Sequence, residues 1–251
     1  MTLISIIIPT KNRSNLLSNS VDSVINQSYK NWELYIVNDS NKEIIINQKD
    51  PRIHLVNNKF TPGANGARNT GINLSSGKFI SFLDDDDTWK KNKLEIQFKL
   101  MESSDAILSY TGKRIVSKTH KVIKEKSSYK KTYFSPNFTL QFHNYIGTTS
   151  SIMIKSDIFS KYNVKFDEKI QILQDYDLYL QLCNLGKFIG IPENLITYNI
   201  DNQFDHISLT RNNFFQSAYL ILNKQQGFYK ISILIGLTII LFQKLYKILF
   251  K

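Results

Sequence analysis

Lys78-Phe79-Ile80-Ser81-Phe82-Leu83-Asp84-Asp85-Asp86-Asp87 is an apolar run that ends abruptly in four adjacent carboxylates. Residues 78–83 have the length and composition of a buried strand. The acids then fall where the chain leaves the sheet. Two unit charges about 4 Å apart repel by about 1 kcal/mol in water and by several times more near protein. Such a run therefore needs either full solvation or a cation. Hard divalent ions such as Mg²⁺ or Mn²⁺ are held by one or two carboxylates together with phosphate oxygens. The plain alternative is an exposed acidic turn ahead of the next helix.

Working outward, strand and helix patterns alternate through the first hundred residues. Leu3 to Ile8 is a β-branched run that reads as a strand stopped by Pro9. Ser14 is placed to cap a helix that carries Leu17, Val21, Val24 and Ile25 on one face. Glu33 to Val37 and Ile53 to Val56 read as strands, Asn65 to Leu74 as a helix, and residues 91–102 as another. This β-α-β-β-α-β-α order predicts an α/β sheet whose strand ends carry the functional loops. Downstream, Ser150 to Ile154 reads as a strand and Asp175 to Leu185 as an amphipathic helix. Between them, Lys113 to Lys131 holds eight basic residues against the single acid Glu125, and reads as a solvated hairpin.

Composition sets outer bounds. With 251 residues, 42% hydrophobic and 21% charged, the chain is neither disordered, nor collagen-like, nor a coiled-coil rod. Its net charge of +11 asks for an anionic partner, and phosphate, nucleic acid and acidic lipid all qualify. The single cysteine, Cys183, excludes an intrachain disulfide and a multi-thiolate metal site. Residues 1–9 lack the basic region of a signal peptide, so the sequence reads as intracellular. Acidic residues end at Asp205, and residues 206–251 form a basic, apolar tail. Its uncharged run, residues 231–243, is 13 residues long, short of the roughly 20 needed to span a bilayer. Lys244, Lys247 and Lys251 share one helical face, as in an amphipathic helix lying on an anionic membrane surface.

Four motifs follow one another over some 90 residues: Ile6-Ile7-Ile8-Pro9-Thr10-Lys11-Asn12-Arg13, Leu34-Tyr35-Ile36-Val37-Asn38-Asp39-Ser40, Gly66-Ala67-Arg68-Asn69-Thr70-Gly71-Ile72, and Phe82 to Trp89. Together they resemble the nucleotide-binding half of family 2 inverting glycosyltransferases of the GT-A fold. Gln174-Asp175-Tyr176-Asp177 resembles that family's acidic pair at the start of a helix. The resemblance runs from about residue 3 to 200 and implies a Rossmann-like mixed sheet with flanking helices. It implies a glycosyltransferase domain over 1–205, with a nucleotide-binding half at 1–100 and an acceptor half at 101–205, before the tail at 206–251.

Carried over by position, the resemblance assigns Pro9, Thr10, Lys11 and Arg13 to the donor nucleotide, and Asp39 to the uracil imide. Arg68 is assigned to the diphosphate, Asp84 and Asp85 to the nucleotide sugar, and Asp86, with His206, to Mn²⁺ or Mg²⁺. Asp175 is the base that takes the acceptor proton, and Asp177 has a structural part. The sequence departs from the family's pattern at Lys11, where an aromatic residue is common, at Asn38, where a second acid often stands, and at Gln181, where Arg often follows.

The implied substrates are a UDP-sugar and a lipid-linked acceptor, an undecaprenyl-diphosphate glycan of bacterial surface polysaccharide synthesis. The implied location is the cytoplasmic face of the inner membrane. Two rivals fit less well. A nucleotidyltransferase would show a Gly-rich loop after the first strand, and residues 9–13 contain no Gly. A nucleic-acid binder would interleave aromatics among its basic residues, and residues 113–131 offer only Tyr129. No nucleic-acid partner is expected.

Overall fold

Ile4, Ile6 and Ile8 are fully buried on one side of the first strand, and Ile7 is fully buried on the other. A strand buried on both faces belongs to a sheet covered by helices on both sides. The computed structural model describes residues 2–117, 121–128, 136–200 and 211–249. In chain order the elements are β1 (Ile4–Thr10), α1 (Ser14–Ile25), β2 (Trp32–Asn38), β3 (Ile53–Asn57), α2 (Ala64–Leu74), β4 (Phe79–Phe82), β5 (Thr88–Trp89) and α3 (Lys93–Glu102). They continue with β6 (Leu108–Ser117), β7 (Val122–Lys126), α4 (Pro136–Phe142), a 3-10 turn (Thr149–Ser151), β8 (Ile152–Lys155) and α5 (Asp157–Lys161). The last are α6 (Gln174–Leu182), β9 (Phe188–Ile200), α7 (Arg211–Asn223) and α8 (Gly227–Leu249).

The strands form one mixed sheet in the order β3-β2-β1-β4-β8-β6-β9-β5, with β7 paired to β6. β1 to β4 run parallel, β8 is antiparallel to both its neighbours, and β9 runs parallel to β6. The carboxyl ends of β1, β2 and β4 therefore reach one edge, where open α/β sheets bind their ligands. Leu17, Val21 and Val24 of α1 and Leu94 and Met101 of α3 cover one face. Ala67 of α2 and Leu178 and Leu182 of α6 cover the other. α2 comes so close to β1 that a Cβ on Gly71 would stand 2.5 Å from the Ile7 side chain.

Three local expectations need correction. Pro9 does not stop the first strand, because β1 continues through it to Thr10, with Pro9 opposite Val37. Pairing with β4 has already ended at Ile7, so the missing N–H falls where β1 has a neighbour on one side only. Ser14 is the first helical residue of α1; Arg13 holds the cap position and makes no side-chain cap hydrogen bond. Similarly, residues 149–151 form the 3-10 turn, and β8 starts at Ile152.

The described part of the carboxy-terminal segment, residues 211–249, packs on the domain. Phe214, Ala218 and Ile221 of α7 and Ile233 and Leu237 of α8 join the same buried cluster as α6. A Cβ on Gly236 would stand 2.3 Å from the Gln141 carbonyl oxygen, so α8 lies directly against α4. The opposite side of α8 leaves Phe228, Ile231, Leu234, Ile235, Ile239 and Phe242 exposed. Among the described residues, no helix is long and apolar enough to cross a membrane.

Candidate active site

The acidic run leaves β4 as a tight turn, closed by the Asp87 N–H donating to the Asp84 carbonyl at 3.1 Å. α1 holds it from below, where the Ser20 hydroxyl lies 3.0 Å from the Asp85 carbonyl and 2.7 Å from that of Asp87. A turn fixed through its backbone sends its four carboxylates in different directions. Asp84 accepts from Arg68 Nη2 at 2.7 Å, and from the Thr149 hydroxyl at 3.3 Å. Asp85 accepts from the Thr10 hydroxyl at 2.7 Å. Asp86 faces Arg13 at 3.3 Å, and Asp87 accepts from the Ser150 hydroxyl at 2.6 Å.

Burial pushes the Asp85 carboxyl upward, opposed by Thr10 and Arg13. Burial, together with the charges of Asp84 and Asp85, pushes Asp86 up to about 6. Asp87 is fully buried and raised well above the carboxylate range, and its Oδ1 has no hydrogen-bond partner among the described residues. Arg68 is 4% exposed, so it is not the surface residue its helix would otherwise present. Its charge is spent first on Asp84, and its ring neighbour is Phe166, with the guanidinium 5.3 Å from the centroid.

These donors are hard oxygens crowded by like charge, which suits a divalent cation. Among the described residues, no three His, Cys, Asp or Glu side chains converge on one point. A metal held here would have at most two carboxylates from the described residues, and phosphate and water would supply the remaining ligands. Asp86, partly exposed and the least tied of the four, is the residue that fits. His206, the other residue assigned to the metal, lies outside the described residues.

On the nucleotide side, Asp39 leaves the end of β2. Its Oδ1 accepts from Asn58 Nδ2 at 2.7 Å and from the Gly63 N–H at 2.8 Å, while Oδ2 has Lys11 at 3.4 Å. A cavity of about 650 Å³ opens beside it, lined by residues 38–44 and 55–58 with Phe60 and Pro62. A smaller one of about 160 Å³ touches Thr10 and Arg13. Neither of these two cavities is lined by the acidic run or by Asp175. Asn38 is buried and hydrogen-bonds to Lys42, Ser40 and Asn57, so it shapes the turn after β2.

Asp175 opens α6 after Leu173, whose φ of 64° is unusual for a branched residue. Its Oδ1 accepts from the Tyr176 N–H at 2.8 Å and its Oδ2 from Asn144 Nδ2 at 3.2 Å. Burial raises its carboxyl; Lys113 and Arg68 oppose that rise, and Asp84 adds to it. Asp175 therefore shares one field with the acidic run. Asp177 turns away from it, to Lys224, the residue after α7, at 2.8 Å and Gln181 at 2.9 Å.

Three groups had no readable signal in sequence. Thr149 and Ser150, on the 3-10 turn, hold Asp84 and Asp87, and isolated hydroxyls carry no motif. Asn144 steadies Asp175 and is itself fixed by the Gly147 N–H at 3.0 Å. Lys113 was read as part of a solvated hairpin, yet its charge acts on Asp87, Asp175 and Asp84.

The chain is similar to known glycosyltransferases in sequence and in fold. The sequence model described as "Glycosyl transferase family 2" matches residues 5–162. An E. coli relative, the "UDP-Glc:alpha-D-GlcNAc-diphosphoundecaprenol beta-1,3-glucosyltransferase WfgD", is 38% identical over 135 residues, covering 52% of this chain and 53% of WfgD. The match thus spans about half the length of that relative. The "uncharacterized glycosyltransferase MJ1057" of Methanocaldococcus jannaschii is 33% identical over 235 residues, 87% of this chain and 78% of its own. Among solved structures, S. aureus TarS 1-349 in complex with UDP-GlcNAc has a TM-score of 0.67 at 14% identity. That likeness covers 89% of this chain and 66% of the TarS chain, and at such identity it speaks for the fold alone.

Proposed function

The chain belongs to glycosyl transferase family 2, and on that premise we propose that it transfers a sugar from a UDP-sugar to a hydroxyl of a lipid-linked glycan, with inversion. The observation that carries this reading is the placement of Asp175. It is a half-buried carboxylate at a helix start, held by one amide and one backbone N–H, and in electrostatic reach of Arg68 and Asp84.

In this reading Asp39 Oδ2, the oxygen not engaged by Asn58 and Gly63, accepts from the uracil imide at the mouth of the large cavity. Pro9 and Thr10 wall the nucleotide, with Lys11 and Arg13 at its rim. The acceptor hydroxyl gives its proton to an Asp175 oxygen while its own oxygen bonds to the anomeric carbon. The bond from that carbon to the diphosphate breaks, and the electron pair leaves with UDP. A carboxyl raised by burial is a stronger base than one in water, which suits this step. Arg68, locked by Asp84, presents fixed positive charge to the departing diphosphate. Asp86 would hold Mn²⁺ or Mg²⁺ against the phosphate oxygens, adding positive charge at the same place.

WfgD, by its name, acts on a GlcNAc-diphosphoundecaprenol, and this supports an undecaprenyl-diphosphate acceptor in bacterial surface polysaccharide synthesis. The exposed side of α8 supports a peripheral site on the cytoplasmic face of the inner membrane. Phe228, Ile231, Ile235, Ile239 and Phe242 recur at helical spacing on it, and Lys244, Lys247 and Lys251 follow. The test is turnover of a panel of UDP-sugars with a GlcNAc-diphospholipid, with Mn²⁺, Mg²⁺ or EDTA. Transfer from at least one UDP-sugar, lost in EDTA, is expected. Donor hydrolysis without acceptor glycosylation across the panel would overturn the reading.

A further inference from the structure

Among the described residues of the basic stretch 113–131, Lys113 is the one that the fold turns toward the acidic groups of the site. Along β6 side chains alternate between faces, and Arg114, the next residue, pairs with Glu125 across the hairpin at 2.9 Å. Lys113 points the other way, inward. The ladder between β6 and β9 breaks just before it: Thr111 faces Ile191, Gly112 faces Asn194 and Lys113 faces Ile196, with register shifts at both steps. Such bulges re-aim a side chain, and they recur next to active sites. Here the bulge requires glycine, since a Cβ at position 112 would stand 2.8 Å from the Lys126 carbonyl oxygen.

The re-aimed ammonium rests 4.7 Å from the centre of the Tyr198 ring. The ammonium also lies beside Gly147, where a Cβ would stand 3.5 Å from Nζ, an ordinary contact; it is the backbone φ of 94° that favours glycine there. Among the described residues no carboxylate pairs with it. The acids whose charge reaches it are Asp87, Asp175 and Asp84, on the donor and base sides of the site. A cation resting on an aromatic face, among carboxylates it does not pair with, is placed for an anion that arrives with a substrate.

We propose that Lys113 binds a diphosphate oxygen of a substrate, between the acidic run and Asp175. This rests on the glycosyltransfer reading above and extends it to a group that the family motifs do not include. Two diphosphates enter such a site: that of the donor nucleotide and that linking the acceptor sugar to its lipid. Burial pulls the ammonium toward neutrality while the three acids oppose it, so an incoming phosphate would complete its compensation.

Calorimetry with the full-length protein in Mn²⁺ tests this without requiring turnover. Lys113→Met, Lys113→Gln and Lys113→Arg are titrated with UDP, with a short-chain GlcNAc-diphospholipid, and with a phosphate-free GlcNAc glycoside. Losing one charge-assisted hydrogen bond weakens binding about 10- to 100-fold. A loss of that size for UDP in Lys113→Met and Lys113→Gln, recovered in part by Lys113→Arg, assigns the donor diphosphate. A loss confined to the diphospholipid, with the plain glycoside unchanged, assigns the acceptor diphosphate. Unchanged affinity for both diphosphates in a folded Met or Gln variant would overturn the proposal. Equal losses for diphospholipid and glycoside, with UDP unchanged, would also overturn it. If the wild-type protein binds these ligands as described yet transfers no sugar, the functional reading fails and the assignment of Lys113 stands.

Discussion

Lys224→Met should destabilise the protein through a carboxylate it leaves stranded. Lys224 Nζ lies 2.8 Å from Asp177 and 2.9 Å from Asp167, tying α7 to α6 and to the loop before it. The Asp177 side chain is only 2% exposed. Breaking a buried pair by removing one partner costs about 3–5 kcal/mol. Lys224 is itself a third exposed, so water compensates part of the loss and about 2–3 kcal/mol remains. For a chain of this size each kcal/mol lowers Tm by about 2–4 °C, which gives a drop of roughly 4–12 °C. Without Lys224 the Asp177 carboxyl, already raised by burial, rises further. A raised carboxyl contributes stability at low pH that is lost as pH climbs through its folded value. The variant should therefore approach wild type near pH 4 and fall furthest behind it at pH 8. The double variant Asp177→Asn with Lys224→Met should recover most of the loss. Melting curves at the two pH values read all of this. A Tm within about 1 °C of wild type at pH 8 would refute both the buried pair and the packing of α7 as part of the domain.

Other outcomes follow from the same geometry. Asp175→Asn should lower kcat by at least about 100-fold while UDP binding by calorimetry stays within about twofold; undiminished turnover would remove Asp175 from the role of base. Asp86, pushed up to about 6, is protonated as pH falls through that value, so Mn²⁺-dependent UDP affinity should weaken between pH 7 and 5. In Asp86→Asn the affinity should be low and flat over that range, and a wild-type-like pH profile would contradict the assignment. Ile231→Glu with Ile235→Glu, both on the exposed side of α8, should abolish sedimentation with anionic vesicles without lowering Tm. Retained sedimentation would mean that this face does not meet the membrane.

The first hundred residues were legible because their signals are local. The β-branched run at Ile4–Ile8, the apolar run at Phe79–Phe82, and helical spacing at Leu17, Val21 and Val24 depend on neighbours in the chain. The acidic run and Asp175 were legible because their residue types and spacing match a family pattern. The remainder of the site depends on long-range packing. Thr149 meets Asp84 across 65 residues, and Ser150 meets Asp87 across 63. Such hydroxyls look ordinary until the sheet is assembled. Lys113 was hidden by its company, because a bulge at Gly112 decides which way it points and composition counts it with its solvated neighbours. The packing of the carboxy-terminal helices was hidden for a similar reason. Its apolar residues are divided between a face that completes the core at Ile233 and Leu237 and a face that does not. Hydropathy alone sums the two.

The most direct measurement is the anomeric configuration of the product. Purified protein, Mn²⁺, the active α-linked UDP-sugar and a GlcNAc-diphospholipid are incubated together, and the new linkage is read from the proton coupling of its anomeric position by NMR. Direct displacement assisted by Asp175 predicts a β-linkage from the α-linked donor. An α-linked product would contradict a single displacement and, with it, the place of Asp175 at the centre of the site.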